Sequence, residues 1–390
     1  MRKCKDWIST YMAYTHLLES PNSFHTWTAI STVAAALRRQ VWIDFGYFKI
    51  YPNLYVVLVS PPGRCRKNIA IKAGTSLLED FTDIKISSES ITREALIKAL
   101  KQAETPTEDT KGKIYLHSSL TVISEELSVF LGQANFGLMA LLTDLFDCPD
   151  FWEYRTKLSG TDTLYNIWLN ILGGSTPTWL SGSIPLSAIG GGLTSRVIFV
   201  VEENVRQRTT FLELTNYELE LKEMLINDLA EISVMRGNFT IDSEGRKYYD
   251  YWYQNDNPAI VNERIAGYFE RRHIHVLKVA SIISACQTSN MVITKEHIEV
   301  AVALLTMIEP KMIDAFGAIG RSTLTPDVDQ VLKVVMSLKK ISKSALISTV
   351  WRDVDPRLMD AILSALASMG KVRVTSEKGE PFVELVEEKK

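Results

Sequence analysis

Apolar and polar positions divide the chain into segments of different periodicity. "LYVVLVS" (54–60), "LTVIS" (120–124) and "SRVIFVVEE" (195–203) are unbroken apolar runs rather than alternating ones. Such runs predict central parallel strands covered on both faces. "DIKISSES" (83–90) reads as one more strand, and "TPTEDTKGK" (105–113) as a loop. Helical spacing marks "IAIKAGTSLLEDF" (69–81), "ITREALIKALKQAE" (91–104) and "LSVFLGQANFGLMALLTDLFD" (127–147). "FWEYRTK" and "TLYNIWLNILGG" are β-rich runs joined by "LSGTD", a hairpin signal. Before them, residues 1–45 read as an N-terminal helical segment. After them, residues 210–316 read as helical throughout, with the aromatic "YYDYWYQNDNP" (248–258) as the core face of an amphipathic helix. Residues 326–390 carry three helical patterns and then "KVRVTS" and "PFVELVEE", which together predict a winged helix.

This order gives an α/β fold with five parts: an N-terminal helical segment (1–45), an α/β core (46–208), a helical region (209–316), a linker (317–325) and a winged-helix domain (326–390). The 390 residues, 46% hydrophobic and 23% charged, fit an ordinary globular chain of two or three domains. A net charge of −3 excludes strong attraction of the whole molecule to nucleic acid, so any such contact must be local. The four cysteines have no metal-ligand or disulfide spacing, which fits a reducing cytoplasm. No run approaches the length of a membrane span, so no membrane partner is expected.

The candidate chemistry starts at "SPPGRCRKN" (60–68), between an apolar run and a helical one. Strand, loop, lysine and helix make the layout of a phosphate-binding P-loop, G-x-x-x-x-G-K-[ST]. Pro61 and Arg66 stand at the glycine positions and Asn68 at the hydroxyl position, while Lys67 and Gly63 remain. Pro62, Gly63, Arg64, Cys65, Arg66, Lys67 and Asn68 are thus candidate phosphate-binding positions, and a plain strand-to-helix turn with solvated basic residues is the other reading. Glu125 and Glu126 end the "LTVIS" run, where nucleotide hydrolysis needs carboxylates for a Mg²⁺ shell and an attacking water. Asn68 and Glu125 are therefore the candidate metal positions, and Glu126 is the candidate catalytic carboxylate. In "LNILGGSTP" (169–177), Ser175 or Thr176 is placed to sense a γ-phosphate between the two nucleotide strands, unless the segment is a loop that merely needs Gly173 and Gly174. Arg196 opens a buried strand and is a candidate arginine finger, or else the partner of Glu202 or Glu203. Arg271 and Arg272 open an otherwise apolar helix, within reach of a phosphate or simply solvated.

The order of P-loop, acidic strand end, hairpin, "GGSTP", "TSRVIFV", arginine-bearing helices and winged helix resembles the AAA+ ATPases over roughly residues 20–316. It is most similar to the minichromosome maintenance (MCM)-type branch and to the primase-associated replication ATPases of phages and mobile elements. The resemblance implies a P-loop AAA+ core, with 209–316 as its helical lid, in a hexamer that binds ATP and Mg²⁺ between subunits. It implies Lys67, Glu126 and Arg196 as the catalytic set, with Arg271 or Arg272 closing on the nucleotide. It also implies a hairpin projecting into a channel, with Arg155 and Lys157 as contacts to DNA, single-stranded by expectation. The implied function is a replicative DNA helicase or translocase working beside a primase. The alternative is an adaptor or helicase loader whose worn P-loop hydrolyses weakly or not at all.

Overall fold

Asp6 caps the first helix, Trp7–Tyr14, by accepting from Ser9 N at 2.6 Å. The second helix, Asn22–Leu37, is almost wholly buried, with His25, Thr28, Ser31 and Thr32 inside as well as its apolar residues, so it is a core helix. Helical structure then stops short of the expected residue 45. After a positive φ at Arg38 the chain extends into β1 (Val41–Asp44), which turns back as β2 (Lys49–Ile50). The computed structural model describes residues 1–87, 92–108, 112–132, 135–156, 160–183, 192–256, 263–318, 325–351, 354–377 and 380–386.

The apolar runs become a parallel sheet. Its strands are β3 (Tyr55–Val59), β4 (Ile86–Ser87), β6 (Ile114–Ser124), β9 (Ile167–Ser175) and β10 (Val197–Val201). Their spatial order is β10-β3-β9-β6-β4. β3, β9 and β10 are buried at every position, so both faces are covered and the runs need no alternation. The loop expected over 105–113 is instead partly β5 (Glu104–Glu108), antiparallel to the first half of β6. Its polar composition and Pro106 suit an edge strand, which is why it reads as a loop. The run "TLYNIWLNILGG" divides at Asn166, which takes φ 49. Before it lies β8 (Gly160–Tyr165), paired with β7 (Phe151–Thr156) in the expected hairpin, and after it β9. Asparagine tolerates this left-handed geometry better than most residues.

The region 210–316 is not helical throughout. β11 (Gly237–Ile241) and β12 (Val292–Ile293) join β1 and β2 in a second sheet, ordered β12-β11-β1-β2. Residues from the expected N-terminal segment and the expected lid thus share one sheet. Met1–Gly317 accordingly form one compact unit, undivided at 45 or at 208. The aromatic helix Ser243–Asn255 also departs from expectation, since Tyr251 and Tyr253 are exposed rather than core-facing.

The second unit, Ala318–Lys390, has the three expected helices, Thr325–Leu338, Lys343–Val350 and Met359–Ser368. The short β13 (Lys340–Ser342) pairs with β15 (Glu380–Leu385), which pairs with β14 (Val372–Glu377) as the expected hairpin. Val331, Leu346, Ile362, Leu366 and Val383 form part of its own core. Most of the expected linker, 319–324, lies outside the described residues. Among the described residues no helix is long and apolar enough to cross a membrane.

Candidate nucleotide site

In open parallel sheets, ligands bind beyond the carboxyl ends of the strands. At that end of β3 the chain turns through Ser60–Arg66 into helix Lys67–Thr75. Gly63 has φ +68, and Arg66 is left-handed at φ 53, ψ 38. The position where a P-loop carries its second glycine therefore keeps the glycine-type conformation without the glycine. A left-handed arginine is strained by roughly 1–2 kcal/mol. Its neighbours hold it there: Nε donates to Glu19 Oε2 at 2.9 Å, Nη1 donates to Gly63 O at 2.8 Å, and Arg66 O accepts from Ser20 Oγ at 2.9 Å. No side chain caps the helix; Ile69 N and Ala70 N donate to Arg66 O, so the N–H groups of Lys67 and Asn68 are the ones left to an anion.

Lys67 opens that helix, is 6% exposed, and reaches over β9 to Glu126, with Nζ 3.5 Å from Oε1. Glu126 follows the end of β6, and Ser124 Oγ donates to its carbonyl at 3.0 Å. A cleft of about 260 Å³ opens here, lined by Ser60, Pro62, Gly63, Lys67, Asn68 and Glu126. Glu125 pairs with Lys72 at 3.2 Å. Among the described residues no group of three or more His, Cys, Asp or Glu could hold a metal ion. A Mg²⁺ carried by phosphates needs only one or two protein ligands, and Asn68 and Glu125 are the residues that would supply them.

β9 lies between β3 and β6, with Ser175 in register with Val59 and Gly173 with Ser124. Ser175 is buried at this end of the sheet, and its Oγ has no hydrogen-bond partner in the structure. Thr176 is otherwise engaged: its Oγ1 accepts from Trp179 N at 3.3 Å, at the start of helix Pro177–Ser183. Gly173 and Gly174 belong to the strand rather than to a loop. A Cβ on Gly174 would stand 2.4 Å from Glu125 O and 3.1 Å from Lys67 Cε. Sequence reasoning missed this reason for a glycine, because it exists only where Lys67 crosses the strand.

Other candidates lie away from the cleft or play another part. Cys65 contributes backbone only: its thiol is buried, donates to Glu202 O at 3.4 Å, and burial raises its pKa. Arg64 is exposed. Arg196 precedes β10, whose Val197 is in register with Tyr55. Five strand residues, about 16 Å at 3.3 Å each, separate it from the end of the sheet that carries Ser60–Arg66. Its Nη2 bonds Asp147 at 3.1 Å, not Glu202 or Glu203, and Arg271 reaches the same Asp147 at 3.3 Å. Arg272 is buried among Glu309, Asp256 and Thr306, a network that ties the helical region together. Neither Arg271 nor Arg272 faces the Lys67 cleft. The partners that place them, Asp147, Asp256 and Glu309, are distant in sequence, and no local pattern announces them. The cation at the cleft end from this region is Lys311, whose Nζ bonds Glu202 Oε2 at 2.5 Å. Arg155 is in β7, opposite Thr161, and Lys157 lies outside the described residues.

Arg66→Gly should keep the fold and change nucleotide affinity less than about tenfold. It removes the left-handed strain and loses one half-exposed ion pair, terms of about 1 kcal/mol each. Isothermal titration with Mg²⁺–ATP checks this. A larger loss would mean that the arginine leaves Glu19 to bind phosphate. Compared with protein-family models and with the curated proteins, the chain matches none.

Proposed function

We propose that the chain is an ATP-driven motor of DNA replication, a helicase or translocase of the AAA+ type working as a ring, with phage or mobile elements as its source by resemblance. The observation that carries this reading is the approach of Lys67 to Glu126 across a strand end that holds Ser175, at the carboxyl edge of a parallel sheet. A lysine for phosphate, a carboxylate for water and a buried hydroxyl without a partner are what a nucleotide-hydrolysing cleft uses. The left-handed Arg66 supports it, because the position of a P-loop's second glycine keeps a glycine-type backbone without the glycine.

In this reading the loop N–H groups and Lys67 bind the ATP phosphates, and Ser175 Oγ donates to the terminal one. Glu126 orients and deprotonates the attacking water. Mg²⁺ supplies neutralisation of phosphate charge, with Asn68 and Glu125 to hold its shell. Arg196 is too far along the sheet to serve its own cleft, so it acts on a neighbouring subunit's, after leaving Asp147. The β7–β8 hairpin carries Arg155, and Lys157 beyond it, to single-stranded DNA in the channel. The three helices and hairpin of the second unit support the winged-helix reading.

The test is strand separation of a forked DNA duplex by the purified chain with Mg²⁺–ATP. A motor separates the strands, and the Lys67→Ala variant does not. The adaptor reading, favoured by the loss of both P-loop glycines and the hydroxyl residue, expects no separation but a stable complex with a helicase or primase.

A further inference from the structure

At the other end of the sheet, where β3 begins, a cavity of about 450 Å³ lies beneath the β1–β2 hairpin. Phe48, Phe146 and Ile274 supply apolar wall, and Lys278, Arg271 and Asp147 supply charge. Lys278 is 4% exposed. Its ammonium donates to Asn53 Oδ1 at 2.5 Å and to Asn53 O at 3.2 Å, and lies 4.1 Å from the centre of the Phe146 ring. Among the described residues no carboxylate forms an ion pair with it. Asp147 is the cavity's one carboxylate, and Arg196 and Arg271 already bond its two oxygens.

Three cations thus lie around one anion: Lys278 and Arg196 are buried, while Arg271 and Asp147 reach toward solvent. Burial lowers the Lys278 pKa to about 8; Cys148 and Asp147 oppose that fall, while Arg271 and Arg196 add to it. A buried charge without a counter-charge is costly, and an entering anion offsets that cost. The apolar walls and the size match small-molecule pockets.

We propose that this cavity is a second ligand site, separate from the Lys67 cleft, for a small organic anion. Lys278 and Arg271 hold its phosphoryl or carboxyl group, and its planar apolar body lies against Phe48 and Ile274. The site does not depend on the ATP reading.

The experiment titrates the full chain with phenyl phosphate and with benzoate, by calorimetry and thermal melting, beside phenol as the uncharged control. One of the two anions should bind and raise the melting temperature, its identity naming the head group, while phenol does neither. Lys278→Met and Arg271→Gln should each weaken that anion by about tenfold or more, the loss of one charge-assisted contact. Arg271 is partly exposed, so its variant keeps the test open if Lys278→Met fails to fold. Lys67→Ala should bind the anion as the wild type does. Binding of neither anion overturns the proposal. So does equal binding by wild type and Arg271→Gln, or binding that disappears in Lys67→Ala.

Discussion

Glu126→Gln is expected to bind Mg²⁺–ATP at least as tightly as the wild type and to turn it over about 100- to 10,000-fold more slowly. The amide keeps the size of the carboxylate but cannot take a proton from water. Without nucleotide, Lys67 faces Glu126 at 3.5 Å, and an arriving phosphate competes with that carboxylate for the ammonium. Removing the competitor frees Lys67. The Glu126 side chain is 45% exposed, so the pair is screened and worth at most about 1 kcal/mol, a gain of no more than about fivefold in affinity. Single-turnover kinetics beside equilibrium titration separates the two effects. Unchanged turnover would remove Glu126 from the chemistry and pass its role to Glu125.

Gly174→Ala is expected to cost about 1–3 kcal/mol in stability and to abolish measurable nucleotide binding. The new methyl would meet Glu125 O at 2.4 Å, and that atom is backbone following β6. Relief requires parting β9 from the Glu125–Glu126 turn, which moves the carboxylates away from the loop. The methyl also meets Lys67 Cε and Cδ, at 3.1 and 3.2 Å, and so lifts the lysine off its path across the strand. Thermal melting reads the first effect and ATP titration the second. Wild-type affinity in this variant would mean that Lys67 does not need its present course over β9.

The central sheet was legible because burial on both faces writes itself into the chain as unbroken apolar runs, as in β3 and β10. Lys67 and Glu126 were legible for the same reason, since each comes after such a run, while Ser175 was legible as the small polar end of a β-rich segment. The second sheet was not. β2 and β12 are two residues each, and β1 pairs with β11 almost 200 positions away, so neither periodicity nor a turn signal marks them. β5 was hidden by its polar edge composition. At the site, the arginines were the weakest part of the reading. A guanidinium is placed by its partner, and Asp147 lies 49 residues from Arg196, while Glu309 lies 37 from Arg272.

The measurement that tests the central claim most directly is ATP turnover by the purified chain with Mg²⁺, with and without single-stranded DNA, beside Lys67→Ala. The account predicts turnover that DNA raises and that the variant lacks. Wild-type turnover indistinguishable from that of Lys67→Ala would contradict it.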